Sequence, residues 1–281
     1  GKPCNPETCI YTKGYYDKLR PALAEIWNYD LFDKETVETI ARKHELCPFE
    51  FSLDISNWCD LIICDYNYAF DPFVYLKRFF DEGAGKKATL LVDEAHNLVD
   101  RSRSMYSASV SKYFAFKLNQ ILHDTIPDIA ESVRKIENAF KSVFKKLSSE
   151  KWENETCVLG EIPKGFISSF TNFQELIEEK LADGQGENWP VELHNYYFEI
   201  NRFLKIKEFF GRNYRFIFNR ENNQWEIKLF CLEPSPWLLE RLNSVGSTVF
   251  FSATLKPFEY FSHLIEGGPC LANVEYASPF D

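Results

Sequence analysis

Apolar residues recur along the chain in three rhythms. At the start the spacing is helical. Tyr16, Leu19, Leu23, Ile26 and Trp27 form one stripe, and Val37, Ile40 and Ala41 form a second that Asp33 can cap. Two short unbroken runs follow, Leu61-Ile62-Ile63-Cys64 and Thr89-Leu90-Leu91-Val92, and both read as buried strands. A helix opened by Pro72 is expected over 72–80, and another from about Glu94. Helical stripes then dominate 109–210. Phe114, Leu118, Ile121 and Leu122 make one; Val133, Ile136, Phe140 and Phe144 make the next, beyond a break at Pro127. Asp183-Gly184-Gln185-Gly186 marks a loop, after which Tyr197, Ile200, Phe203, Leu204 and Ile206 resume the pattern. Strands return at 214–218 and 225–230, which alternate with period two around a polar turn, as a hairpin does. A helix over 234–242 and a third buried strand over 247–251 follow. Short apolar strands separated by helices predict a parallel sheet covered on both faces. An all-helical insertion splits that α/β core, so its two parts must pair in space.

Composition narrows the class. Of 281 residues 45% are apolar and 16% aromatic, which excludes a disordered or low-complexity chain. No apolar run approaches the roughly 18 residues of a membrane span, and no leader opens the chain, so a monomeric cytoplasmic protein without membrane contact is expected. Gly1 in place of an initiator and the end at Asp281 suggest a piece of a longer polypeptide. The net charge of −10 hides a division. Residues 161–199 carry eight acidic and two basic side chains; residues 200–228 carry three acidic and seven basic. That second stretch, with Arg202, Arg212, Arg215 and Lys228, reads either as a solvated face or as a surface that tracks phosphates. Eight cysteines are too few for a disulfide scaffold. Cys64 and Cys231 sit in apolar runs and read as packed hydrophobes.

The candidate chemistry lies in Asp93-Glu94-Ala95-His96. Two adjacent carboxylates leave the C-terminal end of a strand, where open α/β sheets bind ligands. Asp93 can hold Mg²⁺ on a nucleotide through water, and Glu94 can deprotonate an attacking water. The plain alternative is an acidic helix start. Ser252-Ala253-Thr254, after the last strand, offers hydroxyls that can sense a terminal phosphate. Gly83-Ala84-Gly85-Lys86-Lys87 imitates a phosphate loop. It lacks the first glycine and the final hydroxyl of G-x-x-x-x-G-K-[ST], and it precedes a strand, so it reads as a plain loop.

Taken in order, Cys9-Ile10-Tyr11-Thr12-Lys13-Gly14-Tyr15-Tyr16-Asp17, Cys47-Pro48-Phe49-Glu50, Cys64-Asp65-Tyr66-Asn67-Tyr68, Asp93-Glu94-Ala95-His96 and Ser252-Ala253-Thr254-Leu255 resemble the XPD/DinG-like iron–sulfur superfamily 2 DNA helicases, the bacterial DinG-like members most of all. The resemblance implies a partial RecA-like sheet with an all-helical arch inserted and a small helical iron–sulfur domain. It divides the chain into 1–58 (iron–sulfur), 59–108 (first part of helicase domain 1), 109–210 (arch) and 211–281 (return with motif III). It implies ATP hydrolysis coupled to 5′→3′ movement on single-stranded or forked DNA. Asp93 becomes the Mg²⁺-associated acid, Glu94 the general base, and His96, Ser252 and Thr254 the couplers. Cys4, Cys9 and Cys47 become three ligands of a [4Fe–4S] cluster, the fourth being expected upstream of Gly1. Lys13, Tyr15, Tyr16, Arg202, Arg212 and Arg215 are candidate DNA contacts. With the phosphate loop and second helicase domain absent, these 281 residues alone are expected to be inactive. The competing expectation is a non-enzymatic module that binds single-stranded DNA or protein.

Overall fold

A computed structural model describes residues 9–81, 87–149, 155–221, 224–266 and 272–277. The chain divides into two compact units, 1–64 and 65–281, each with its own core.

The first unit is helical: α1 (Tyr15–Ile26), α2 (Lys34–Lys43) and α3 (Pro48–Ser56). Asp33 caps α2 as expected, accepting from the Thr36 N–H at 2.8 Å. Pro48 occupies the first turn of α3, where a missing N–H costs nothing. Gly14, at φ 63°, turns the chain into α1. Ala22, Ile26, Val37, Ile40, Phe51 and Ile55 close the core. The helical stripe of α1 is real, but Tyr16 and Trp27 stand outside it, exposed.

The run Leu61-Ile62-Ile63-Cys64 forms no strand. Among the described residues no ladder partner pairs with it, and without one an apolar run has nothing to be buried against; Ile63 is 88% exposed and Cys64 is exposed too. Cys231, by contrast, is buried as expected.

The second unit opens with two short helices, α4 (Tyr66–Phe70) and α5 (Lys77–Phe80). The helix expected over 72–80 shrinks to that last turn, because the buried Asp71 carboxylate accepts from the Phe73 and Val74 N–H groups and holds an Asx turn in its place. Then come β1 (Thr89–Val92), a 3₁₀ turn at Ala95–Asn97, α6 (Leu98–Met105), β2 (Ala108–Ser111), α7 (Lys112–Leu122) and α8 (Pro127–Ser149). They are followed by β3 (Thr156–Leu159), α9 (Ser168–Ala182), α10 (Val191–Glu208), β4 (Tyr214–Glu221), β5 (Gln224–Cys231), α11 (Ser235–Asn243), β6 (Ser247–Phe250) and α12 (Phe258–Glu266).

Two sheets result. β1 and β6 pair in parallel, Thr89 with Ser247 through Val92 with Phe250, so the halves of the split core do meet. Neither strand is fully buried: among β1 and β6 side chains only Val92 is enclosed. The other sheet is antiparallel, in the order β2-β5-β4-β3. The stretch 109–210 is therefore not all-helical: most of β2 and all of β3 fall inside it and flank the β4–β5 hairpin. Four-residue strands are too short for period two to declare itself, and both partners lie far away in sequence. Residues 214–231 share a sheet with strands from the inserted stretch and not with β1 or β6.

One face of this sheet is the core. Tyr214, Phe216, Phe218, Ile227 and Leu229 point inward against helices carrying Val133, Ile136, Phe140, Phe170 and Phe203. The rings of Phe166 and Phe170 lie 4.8 Å apart and tilted, Phe170 and Phe203 5.5 Å and stacked, and Phe166 and Phe216 5.6 Å and edge-on. In α7 the buried row is Ala115, Leu118 and Leu122; Phe114 and Ile121 are exposed, one position off the expected stripe.

Candidate functional site

The β1–β6 ladder runs on past both strands. Phe251 donates its N–H to the Val92 carbonyl at 3.0 Å, and Ala95 donates to the Phe251 carbonyl at 3.1 Å. Asp93 and Glu94 are thus fixed at the C-terminal edge of the parallel pair, both exposed. Glu94 has φ 47° and ψ 40°, the left-handed region that costs a non-glycine residue about 1–3 kcal/mol. Three contacts hold it there. The Tyr66 hydroxyl shares its proton between the carbonyls of Asp93 and, at 3.0 Å, Glu94. Asp93 Oδ1 accepts from the Glu94 N–H at 2.7 Å. The ladder bond at Ala95 is the third. Burial, and then the charges of Asp93 and Glu94, push the Tyr66 phenol above its ordinary value, so it remains a donor.

The turn at Glu94 swings its carboxylate toward the end of β6. Glu94 Oε2 lies 3.1 Å from His96 Nδ1 and 3.4 Å from Ser252 Oγ. His96 Nδ1 and Ser252 Oγ are 2.7 Å apart. Ser252 Oγ also accepts from the Thr254 N–H at 3.2 Å and lies 3.5 Å from Thr254 Oγ1. Four of the sequence-nominated residues thus form one cluster across 158 positions of sequence. Asp93 stands beside it with one carboxylate oxygen engaged. The arrangement has an exposed carboxylate that can take a proton from water, backed by an imidazole and two hydroxyls. An exposed all-oxygen acid beside it has the hardness that Mg²⁺ requires. Tyr66, which sequence reasoning placed in a matching stretch without a role, is what fixes the acidic turn; its signal was that stretch.

The other nominated residues fare unevenly. Cys4 lies outside the described residues. Cys9 begins the turn that leads into α1, its carbonyl accepting from the Thr12 and Lys13 N–H groups; Cys47 precedes α3. Lys18 ties the two segments, donating to the Ile10 carbonyl at 3.2 Å and pairing with Glu45 at 3.1 Å. The Cys9 thiol is drawn below its ordinary value by the Thr12 side chain first and the backbone at Tyr11 next. Among the described residues no group of three or more His, Cys, Asp or Glu side chains is placed to hold a metal ion. The Cys9 and Cys47 thiols are two of the four thiolates that a [4Fe–4S] cluster takes.

Lys13, Tyr16 and Arg212 are exposed. Tyr15 is half-buried instead, with its hydroxyl on Asp54 at 2.8 Å, because it lies on the inner stripe of α1. Arg202 is a scaffold residue: it donates to the Met105 carbonyl at 2.6 Å, lies 4.0 Å from the buried Asp71 and stacks near Phe73. Arg215 donates through one nitrogen to the carbonyls of Arg212 and Tyr214.

These features define an exposed acidic edge on a parallel strand pair. The DEAD_2 family model matches residues 2–113, which take in the helical first unit and the acidic turn. The chain is 31% identical over 109 residues to the Fanconi anemia group J protein homolog of Gallus gallus, covering 38% of this chain and 8% of that protein. It is 22% identical over 144 residues to the general transcription and DNA repair factor IIH helicase subunit XPD of Dictyostelium discoideum, covering 51% and 17%. With the regulator of telomere elongation helicase 1 homolog of Anopheles gambiae it shares 30% over 100 residues, covering 35% and 9%. The matches therefore span less than a fifth of each relative. Over these stretches the chain is similar to iron–sulfur superfamily 2 helicases of the XPD/DinG-like kind.

Proposed function

We propose that this chain is part of an ATP-dependent DNA helicase, a cytoplasmic monomer that moves 5′→3′ on single-stranded or forked DNA. The observation that carries the reading is the contact of Glu94 with His96 and Ser252 across the parallel β1–β6 pair. Asp93 would hold Mg²⁺ on the nucleotide, and the ion would neutralise charge on the phosphates. Glu94 takes the proton of the attacking water. His96, Ser252 and Thr254 feel the change at that carboxylate and pass it along β6 toward bound DNA. Lys13, Tyr16 and Arg212 are exposed candidates for DNA contact. Cys4, Cys9 and Cys47 would serve a [4Fe–4S] cluster in the full-length protein, which iron and acid-labile sulfide content measures directly.

General-base removal costs about 10²–10⁴-fold. Glu94→Gln should therefore cut DNA-stimulated ATP hydrolysis by the full-length protein at least that far while leaving its thermal denaturation unchanged. A variant as active as the wild type would sink the assignment. The 281 residues contain no G-x-x-x-x-G-K-[ST] stretch, so this polypeptide alone should show no turnover above a protein-free control.

A further inference from the structure

The antiparallel sheet has a second face, and it is open. Along β5 the residues Glu226, Lys228 and Phe230 alternate outward against the buried Ile227, Leu229 and Cys231. Ser109 stands directly opposite Lys228, and Arg215 directly opposite Phe230. Where this face meets the end of α6 there is a cavity of about 400 Å³, lined among others by Asp100, Arg103, Ser104, Ser109, Lys228 and Phe230. We infer that this cavity binds single-stranded DNA, with one phosphodiester between Arg103 and Lys228 and a neighbouring base on the Phe230 ring. The inference rests on the reading that the chain works on DNA, and places a contact surface away from the acidic turn.

The chemistry of the lining selects the ligand. Two cations and two serine hydroxyls face one space, a donor set suited to phosphate oxygens. Arg103 is pre-positioned: its Nε donates to the Leu232 carbonyl at 3.0 Å, which fixes the plane of the guanidinium. The backbone below is pinned as well. The buried Ser107 hydroxyl donates to the Arg103 carbonyl at 2.6 Å and accepts from the Cys231 N–H at 3.0 Å, joining the end of α6 to β5. The Lys228 ammonium lies 5.1 Å from the Phe230 ring centroid. At such an exposed site that contact is worth about 0.5–1 kcal/mol, so a phosphate is the stronger partner and would free the ring for a base. Cations around an accessible aromatic are the arrangement that grips single strands without reading sequence.

The acids set the direction of the track. Asp100 lies 3.4 Å from Arg103, but its side chain is 86% exposed, so solvent screens the pair and a phosphate can replace it. Glu226, two positions along β5 from Lys228, closes that side of the face to an anion. The strand is thus led from Arg103 past Phe230 toward Arg215. A protein partner is the weaker fit, since the cavity offers charge and hydroxyls around a single aromatic ring and no apolar anchor pocket.

The test is anisotropy of fluorescein-labelled oligo(dT) with the full-length protein across a salt series. Each phosphate contact on a single strand contributes a slope of about −0.7 in log K against log salt. Arg103→Glu/Lys228→Glu should weaken binding at least tenfold and flatten the slope by about 0.7, one phosphate's share. Phe230→Ala should weaken it about fivefold or more at unchanged slope, as loss of one stacked base predicts. Thermal melting of Phe230→Ala should match the wild type; Arg103→Glu also removes the bond to the Leu232 carbonyl, so the double variant is assayed well below its own melting temperature. Wild-type affinity and slope in both variants overturn the inference and leave the face to a protein. If that happens while Glu94→Gln still abolishes hydrolysis, the proposed function stands and only this site falls.

Discussion

The two sheets of the second unit differ in what they are built to hold. β2-β5-β4-β3 hides a whole face beneath aromatic-rich helices, and its strands could hardly be moved without opening that core. β1 and β6 are four residues each, and their register partners Leu91 and Val249 are 63% and 49% exposed. Yet the thin pair carries the acids. Stability and chemistry are thus divided: the antiparallel sheet supplies a rigid body, and the parallel pair supplies strand ends whose geometry depends on a handful of local bonds. Such a pair can respond to a ligand at modest free-energy cost, which a fully packed sheet cannot.

The sharpest way to break this contrast is to attack the rigid side. Phe170→Ala removes a fully buried ring in contact with Phe140, Phe166 and Phe203, and should cost about 3–5 kcal/mol in urea denaturation. A loss below about 1 kcal/mol would mean the core is not centred there.

Next in size is a pH effect inside the same body. Burial pushes the Glu199 carboxyl up to about 7; the Ser111 N–H pulls the other way, and Glu226 adds to the rise. The folded chain then keeps a proton that the unfolded chain, with an ordinary carboxyl, releases. Stability should therefore fall as pH rises from the ordinary carboxylate range to about 7, by about 1–3 kcal/mol in all. Glu199→Gln should abolish that slope and be the more stable protein at pH 8. Parallel urea midpoints for variant and wild type at both ends of the window would contradict the buried-acid account.

The smallest effect belongs to the thin pair. Tyr66→Phe removes the hydroxyl from the Asp93 and Glu94 carbonyls, a change of about 1 kcal/mol. Global denaturation should barely move. Amide exchange at Ala95 and Phe251 should quicken about fivefold, while exchange in β4 and β5 stays as it was. Equal acceleration in both sheets would show that they are one mechanical body.

Much of the thin pair could be read from sequence. Both strands sit where unbroken apolar runs placed them, and the meeting of Asp93-Glu94-Ala95-His96 with Ser252 and Thr254 follows once two parallel strands end at one edge. Asp33, Pro127 and the β4–β5 hairpin were equally legible, because capping, proline and period two are local signals. What escaped were non-local facts. β2 and β3 exist through partners more than fifty residues away. Leu61-Ile62-Ile63-Cys64 has the composition of a strand but joins no ladder among the described residues. Arg202 looked like a phosphate ligand until Asp71 and the Met105 carbonyl were found beside it. The phase of α7 is set by which helix it meets, and its spacing alone cannot say.

Glycine in place of Glu94 would relax the left-handed turn and delete the carboxylate in a single substitution. Considered as an object that merely has to fold, the chain would be sturdier with that acid gone. The proposed role of Glu94 at a nucleotide would account for a glutamate kept in so uncomfortable a pose.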